Sequence, residues 1–200
     1  FNSALIVENY YINKENKKVK NLLKNFKKKN EFYYWFRIKK EGQIIIKQEG
    51  NEVGMDFVTS NFDKIDKPNL RMIFDLANFL KNSKRYKKAI KYYTQIISSL
   101  DVDSEIKSDL LYRRGGSYER LGDYKKADKD LLYSLKINPE DAYILNYLAY
   151  SWLERDYQTD EAMKMLEKAY ALKSNDPYII DSIGWAYYLT DNYEEAEKYL

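Results

Sequence analysis

From residue 70 onward, large apolar residues recur at helical intervals, with charged or small residues between them. Four sets each trace an apolar stripe of period 3.6: Ile73, Leu76, Leu80 and Tyr93; Leu111, Tyr118, Leu131 and Leu135; Leu145, Leu148, Trp152 and Leu166; Ile180, Ile183, Tyr187 and Leu200. Such stripes predict helices that bury one face, and they come in a repeating order. Tyr86-Lys87-Lys88-Ala89, Tyr124-Lys125-Lys126-Ala127 and Tyr193-Glu194-Glu195-Ala196 share a Y-x-x-A pattern. Thr159-Asp160-Glu161-Ala162 fills the same slot, so the four alanines stand 38, 35 and 34 residues apart.

A second small residue precedes each alanine: Ala77, Gly115 and Gly184 by twelve residues, and Ala149 by thirteen. Antiparallel helices approach closely only where neither carries bulk at the crossing, so this pair predicts a tight helical hairpin. Pro68, Pro139 and Pro177 fall between hairpins, where a helix must stop or start. Asn175-Asp176-Pro177 reads as a capped helix start, and Leu121-Gly122-Asp123 as the turn inside a hairpin. Upstream, residues 30–68 place Gly42 and Gly54 in the two small slots, and residues 1–30 place Val7 and Val19 there. Both stretches are predicted to be divergent hairpins of the same kind. A β-hairpin over Gln43 to Gly54, suggested by Ile44-Ile45-Ile46 and the glycines, is the competing reading.

Leu111, Gly115, Tyr118, Gly122, Tyr124, Ala127, Leu131 and Pro139 together resemble the signature of the tetratricopeptide repeat (TPR), a helix-turn-helix unit. The resemblance implies an all-α, right-handed solenoid of about 11 helices in antiparallel pairs. On this division residues 1–69 form divergent N-terminal hairpins and residues 70–200 form repeats at 70–107, 108–141 and 142–176, with a truncated one at 177–200. Within the last part, Asn146-Tyr147-Leu148-Ala149-Tyr150, Asp160-Glu161-Ala162 and Asp176-Pro177 through Asp181-Ser182-Ile183-Gly184-Trp185 look like the C-terminal repeats of proteobacterial TPR lipoproteins. Some of those act at the outer membrane as adaptors for a carboxyl-terminal processing protease. That resemblance implies a bacterial, periplasmic or outer-membrane-associated adaptor with a protease as its protein partner.

Composition narrows the chemistry. The chain has no cysteine and no histidine, which removes thiolate nucleophiles, disulfides, imidazole bases and zinc sites. No apolar stretch approaches the roughly 20 residues of a spanning helix, so no transmembrane segment is expected. The chain opens on Phe1 and closes on Leu200 inside a helical pattern, and it reads as part of a longer protein. Residues 1–100 hold 21 Lys/Arg against 10 Asp/Glu, and residues 101–200 hold 13 against 21. The basic half, with eight lysines from Lys14 through Lys29 followed by Tyr33, Tyr34, Trp35 and Phe36, motivates an alternative function as a nucleic-acid or anionic-surface binder. Against it, Val19, Leu22, Leu23 and Phe26 lie at helical spacing, which puts the lysines on the wet side of an amphipathic helix.

The acidic groups Asp101/Asp103/Glu105 and Asp128/Asp130 lack calcium-loop spacing and read as solvated helix faces. Gly115-Gly116 and Gly50 to Gly54 match no phosphate-cradling motif. No catalytic residue, cofactor or metal is therefore expected, and the chain reads as a binding scaffold rather than an enzyme. Among the 21 tyrosines, Tyr118, Tyr124, Tyr187 and Tyr193 are assigned to the repeat core. Tyr112, Tyr143, Asn146, Tyr150, Tyr178, Asp181, Trp185 and Tyr188 are assigned to a concave groove for a protein or peptide partner, because the resembled family lines its groove with these helix positions.

Overall fold

The structure is a computed structural model that describes residues 2–26, 30–101 and 103–199, so Phe1, Lys27, Lys28, Lys29, Val102 and Leu200 lie outside the described residues. It divides into two compact units, residues 1–85 and 86–200. The first contains α1 (Asn2–Ile12), α2 (Asn16–Leu23), α3 (Glu31–Glu49), α4 (Asn51–Phe62) and α5 (Leu70–Asn82). The second contains α6 (Tyr86–Ile97), α7 (Glu105–Glu119), α8 (Tyr124–Ile137), α9 (Ala142–Leu153), α10 (Thr159–Leu172), α11 (Pro177–Leu189) and α12 (Tyr193–Glu197). No strand occurs among the described residues, and sequential helices pair as α1 with α2, α3 with α4, α7 with α8, α9 with α10 and α11 with α12.

In the first unit the helical reading of residues 43 to 54 holds. α3 runs through Ile44 to Glu49, Gly50 makes the turn at φ 97°, and α4 starts at once. Gly42 and Gly54 face each other across the pair, and a Cβ on Gly54 would lie 2.8 Å from Ile46 N and 3.0 Å from Gly42 O. Val7 and Val19 are fully buried and share a cluster with Leu23, Phe26 and Ile44, while Lys17, Lys18, Lys20 and Lys24 stay on the wet side. N-caps agree with the punctuation: Asn30, Asn69, Ser104, Asp141 and Asp176 each accept backbone N–H bonds of the helix that follows.

In the second unit the small pairs form the crossings. A Cβ on Gly115 would lie 2.9 Å from Leu131 Cγ and 3.3 Å from Ala127 O, and Ala127, Ala149, Ala162 and Ala196 are all buried. α7 starts at Glu105, three residues ahead of the expected repeat boundary, because Ser104 caps it. Three sequence assignments need correction. α11 buries Ile179, Ile183 and Ala186, and Ile180 is only half-buried, a rotation of one position from the predicted stripe. Tyr187 is half-buried and packs against the core as expected, but Tyr118 is only half-buried and Tyr124 and Tyr193 are exposed. The latter two begin their helices, so their rings lie over the preceding turn, where the Tyr193 hydroxyl donates to Asp191 at 2.7 Å. Asp128 and Asp130 are not solvated: Asp130 is 5% exposed and takes a two-point bond from Arg114 (2.7 and 2.8 Å), while Asp128 accepts from Trp152 Nε1 and Arg155, each at 2.8–2.9 Å. They stand two residues apart on α8, so they point to different neighbours, and each finds a guanidinium.

Five hairpin turns share one backbone closure. The N–H groups of Glu15, Arg85, Asp123, Tyr157 and Asn192 donate to the carbonyls of Tyr10, Leu80, Tyr118, Trp152 and Tyr187, five residues back, at 2.8–3.0 Å. In each case the residue before the donor is left-handed: Lys14, Lys84, Gly122, Asp156 and Asp191. This is the Schellman closure of a helix end.

Candidate functional site: a tyrosine-lined groove on α7, α9 and α11

α9 and α11 are apolar nearly all round, and Asp181 is the only charged side chain on either. Their outward residues are therefore aromatic: Tyr143, Tyr150, Tyr178 and Tyr188 are between 36% and 53% exposed. Asp181 is exposed beside them. Trp185 is half-buried, stacks on Tyr188 with ring centroids 5.2 Å apart, and donates its indole N–H to Glu154 at 2.7 Å. Tyr143 donates to Asp176 at 2.8 Å and lies under the Lys173 ammonium at 4.2 Å. That bond holds the Asp176 carboxyl below its ordinary value.

Between α7 and α9 the groove is bridged at its middle. Tyr112 and Tyr147 meet edge to face at 5.6 Å, and the Tyr147 hydroxyl donates to Glu119 at 3.0 Å. Gly116 makes this possible, because a Cβ there would lie 3.2 Å from the Tyr147 hydroxyl. On one side of the bridge is a cavity of about 460 Å³ with Glu105, Asp109, Arg113, Asp141 and Tyr143 among its walls. On the other is a cavity of about 450 Å³ walled by Glu119, Arg120, Tyr150, Glu154, Arg155 and Tyr178. Burial pushes the Tyr112 phenol up to about 12 and also raises Tyr147, where the Glu119 carboxylate adds to the effect. Tyr150 is raised by burial and then by Glu154, and Tyr178 by burial. All four phenols stay protonated at neutral pH and can donate.

The eight residues assigned from the sequence thus divide. Tyr143, Tyr150, Tyr178, Asp181 and Tyr188 present surface, Trp185 and Tyr112 are half-buried, and Asn146 is fully buried. Asn146 is the correction. It lies at the seam between the aromatic face and the core face of α9, and neither its Oδ1 nor its Nδ2 has a hydrogen-bond partner. A buried polar group left unpaired costs about 1–3 kcal/mol. Tyr147, Glu119, Arg120, Glu154 and Arg155 were not assigned from the sequence. Glu154 could have been found, since it follows Tyr150 by one helical turn; Tyr147 could not, because its path across α7 depends on Gly116. Among the described residues no cluster of acidic side chains is arranged to hold a metal, and no helix is long and apolar enough to cross a membrane.

Stacked antiparallel helix pairs that cross at small residues define a helical-repeat architecture. Residues 108–141 match one sequence model described as tetratricopeptide repeat, and residues 70–99 match a second with the same description. Two segments of the chain thus match the tetratricopeptide repeat, an architecture generally associated with protein–protein interaction. TPR repeat-containing protein PA4667 of Pseudomonas aeruginosa is 36% identical over 92 residues, which is 46% of this chain but only 16% of that protein. Among solved structures, MamA 41-end from Desulfovibrio magneticus RS-1 matches with a TM-score of 0.62 at 16% identity, covering 83% of this chain and 90% of that one. BtubC (BKLC) from P. vanneervenii matches with a TM-score of 0.65 at 15% identity, covering 89% and 82%. At these identities the similarity is one of fold.

Proposed function

We propose that the groove on α7, α9 and α11 receives a segment of a partner protein, anchored by aromatic contact and oriented by the phenols and carboxylates along its walls. The observation that carries this reading is the pair of cavities, about 460 and 450 Å³, set on either side of the Tyr112–Tyr147 bridge. Each is large enough for side chains of a partner, and aromatic residues with polar tips are the usual anchors of interfaces. The test begins with peptides selected from a displayed linear library by the purified chain. Tyr150→Ala and Tyr178→Ala are each expected to weaken the selected peptide by more than about 1 kcal/mol, and Lys24→Ala to leave it unchanged. Affinity is expected to vary little with salt. Steep loss with salt, together with sensitivity to lysines of residues 14–24, would instead support binding of an anionic polymer or surface by the basic half.

The periplasmic adaptor implied by residues 142–200 is a narrower form of the same proposal. Its expected result is that a purified carboxyl-terminal processing protease co-elutes with the wild-type chain and not with Tyr150→Ala. Co-elution with both would remove the groove from that interaction.

A further inference from the structure

Away from the tyrosine-lined face, the first unit holds a cavity of its own, about 310 Å³, between the start of α3 and the start of α5. Phe32, Trp35, Phe36 and Met72 give it apolar walls. The three aromatics follow helical spacing on α3, and Lys39 lies one turn further along the same face. Trp35 and Met72 are 2% and 3% exposed and form the floor, where Trp35 meets Phe62 edge to face with ring centroids 5.0 Å apart. Phe32 is 60% exposed and stands at the rim, so part of the apolar wall stays in water until the hollow is filled.

The polar groups beside it define what fills it. Among the described residues its charged walls are Lys39, Arg71 and Asp75, two cations to one anion. Asp75 serves three donors: Lys39 Nζ at 2.6 Å, the Trp35 indole N–H at 3.4 Å and Arg71 Nε at 3.5 Å. Only the first is a short bond, and the other two lie at the limit of hydrogen bonding. The Arg71 side chain is 83% exposed, so its guanidinium is free to turn toward a closer partner. A second carboxylate here would balance the charge and match the planar fork of Arg71 with both oxygens. A cation would face Lys39 and Arg71 and find Asp75 already engaged.

We propose that this cavity binds a small free carboxylic acid with an aromatic body, its ring among Phe32, Trp35 and Phe36 and its carboxylate on Arg71 and Lys39. Size supports a small molecule, since about 310 Å³ sits at the lower end of the roughly 300–1,000 Å³ typical of such sites. That is room for one ring and a short chain, and less than either cavity of the groove proposed for a partner segment. The inference is independent of that groove, because every residue it uses belongs to the first unit.

The test titrates the isotope-labelled chain with phenylpropionate, its amide and phenylpropylamine, which share one body and differ in charge. The indole N–H resonances of Trp35, Trp152 and Trp185 report where each binds. A saturable shift of Trp35 alone is expected, with the acid bound about tenfold or more tightly than the amide or the amine. Arg71→Ala should weaken the acid by about tenfold and leave the amide unchanged, while Phe32→Ala should weaken both. Both side chains are exposed, so both variants are expected to melt as the wild type does. Equal binding of acid and amide, or acid binding within about twofold of wild type for either variant, would overturn the inference. So would a Trp35 indole unmoved at millimolar acid, or movement of Trp152 or Trp185 in its place. A peptide carrying phenylalanine beside an acidic residue that shifts Trp35 when the free acid does not would assign the cavity to a partner protein and overturn the free ligand.

Discussion

At the scale of single residues, the helix crossings set the strictest demands. Ala127 is 1% exposed against the backbone of α7, so Ala127→Leu is expected to lower stability by roughly 1–3 kcal/mol in denaturant unfolding. Lys126, next in sequence, is exposed, and Lys126→Leu should change stability by less than about 0.5 kcal/mol. Equal effects would mean that the register of α8 is wrong. Tyr112 makes a pH-dependent contribution. Its phenol ionises near 10 when unfolded and near 12 when folded, so in that window unfolding releases a proton and stability falls as pH rises. Below about pH 10 both states are protonated and the contribution is intact. Unfolding measured across this range should show the decline, to which the raised phenols of Tyr147, Tyr150 and Tyr178 also contribute, and Tyr112→Phe should make it shallower by on the order of 2 kcal/mol. The small residues at the crossings were legible in the sequence because bulk is excluded there by distance alone. The burial of Asn146 was not, because its neighbours at helical spacing include both groove and core residues, and only packing decides to which side the amide turns.

At the scale of elements, the helix pairs were legible wherever periodicity, small slots and caps agreed. That included the first unit, where Gly42 and Gly54 identified the α3–α4 crossing against a competing strand reading. A Cβ at Gly54 would meet backbone atoms of Ile46 and Gly42, which cannot rotate away. Gly54→Ala should therefore destabilise by about 1–3 kcal/mol, and a thermal unfolding curve unchanged by it would contradict the close α3–α4 contact. Less legible were the pairings of charge. Asp130 looked like any acidic residue on a wet face, yet it secures α8 to Arg114 of α7, which also reaches Thr94 on α6 at 3.0 Å. Asp130→Ala leaves a mostly buried guanidinium without its anion, and a loss of about 3 kcal/mol is expected by chemical denaturation. Charge pattern alone could not show this, since the partner lies sixteen residues away on another helix.

At the scale of the whole chain, repeat proteins distribute stability over many similar contacts, each small and nearly independent. The hairpin turns give that general property a practical form. Lys14, Lys84, Asp156 and Asp191 each occupy a left-handed conformation that disfavours a side chain, in the place where Gly122 sits without penalty. They amount to a set of adjustable settings outside both the helix crossings and the tyrosine-lined face. Lys84→Gly is expected to raise stability by about 0.5–1 kcal/mol, after allowance for the greater freedom of glycine when unfolded, and Asp191→Gly by less, because it also removes the acceptor of the Tyr193 hydroxyl. Because the two turns are more than a hundred residues apart in sequence, the gains should add, and a double variant no better than either single one would show the turns to be coupled. The turns thus offer a way to set the melting temperature of this chain without altering a residue of the tyrosine-lined face.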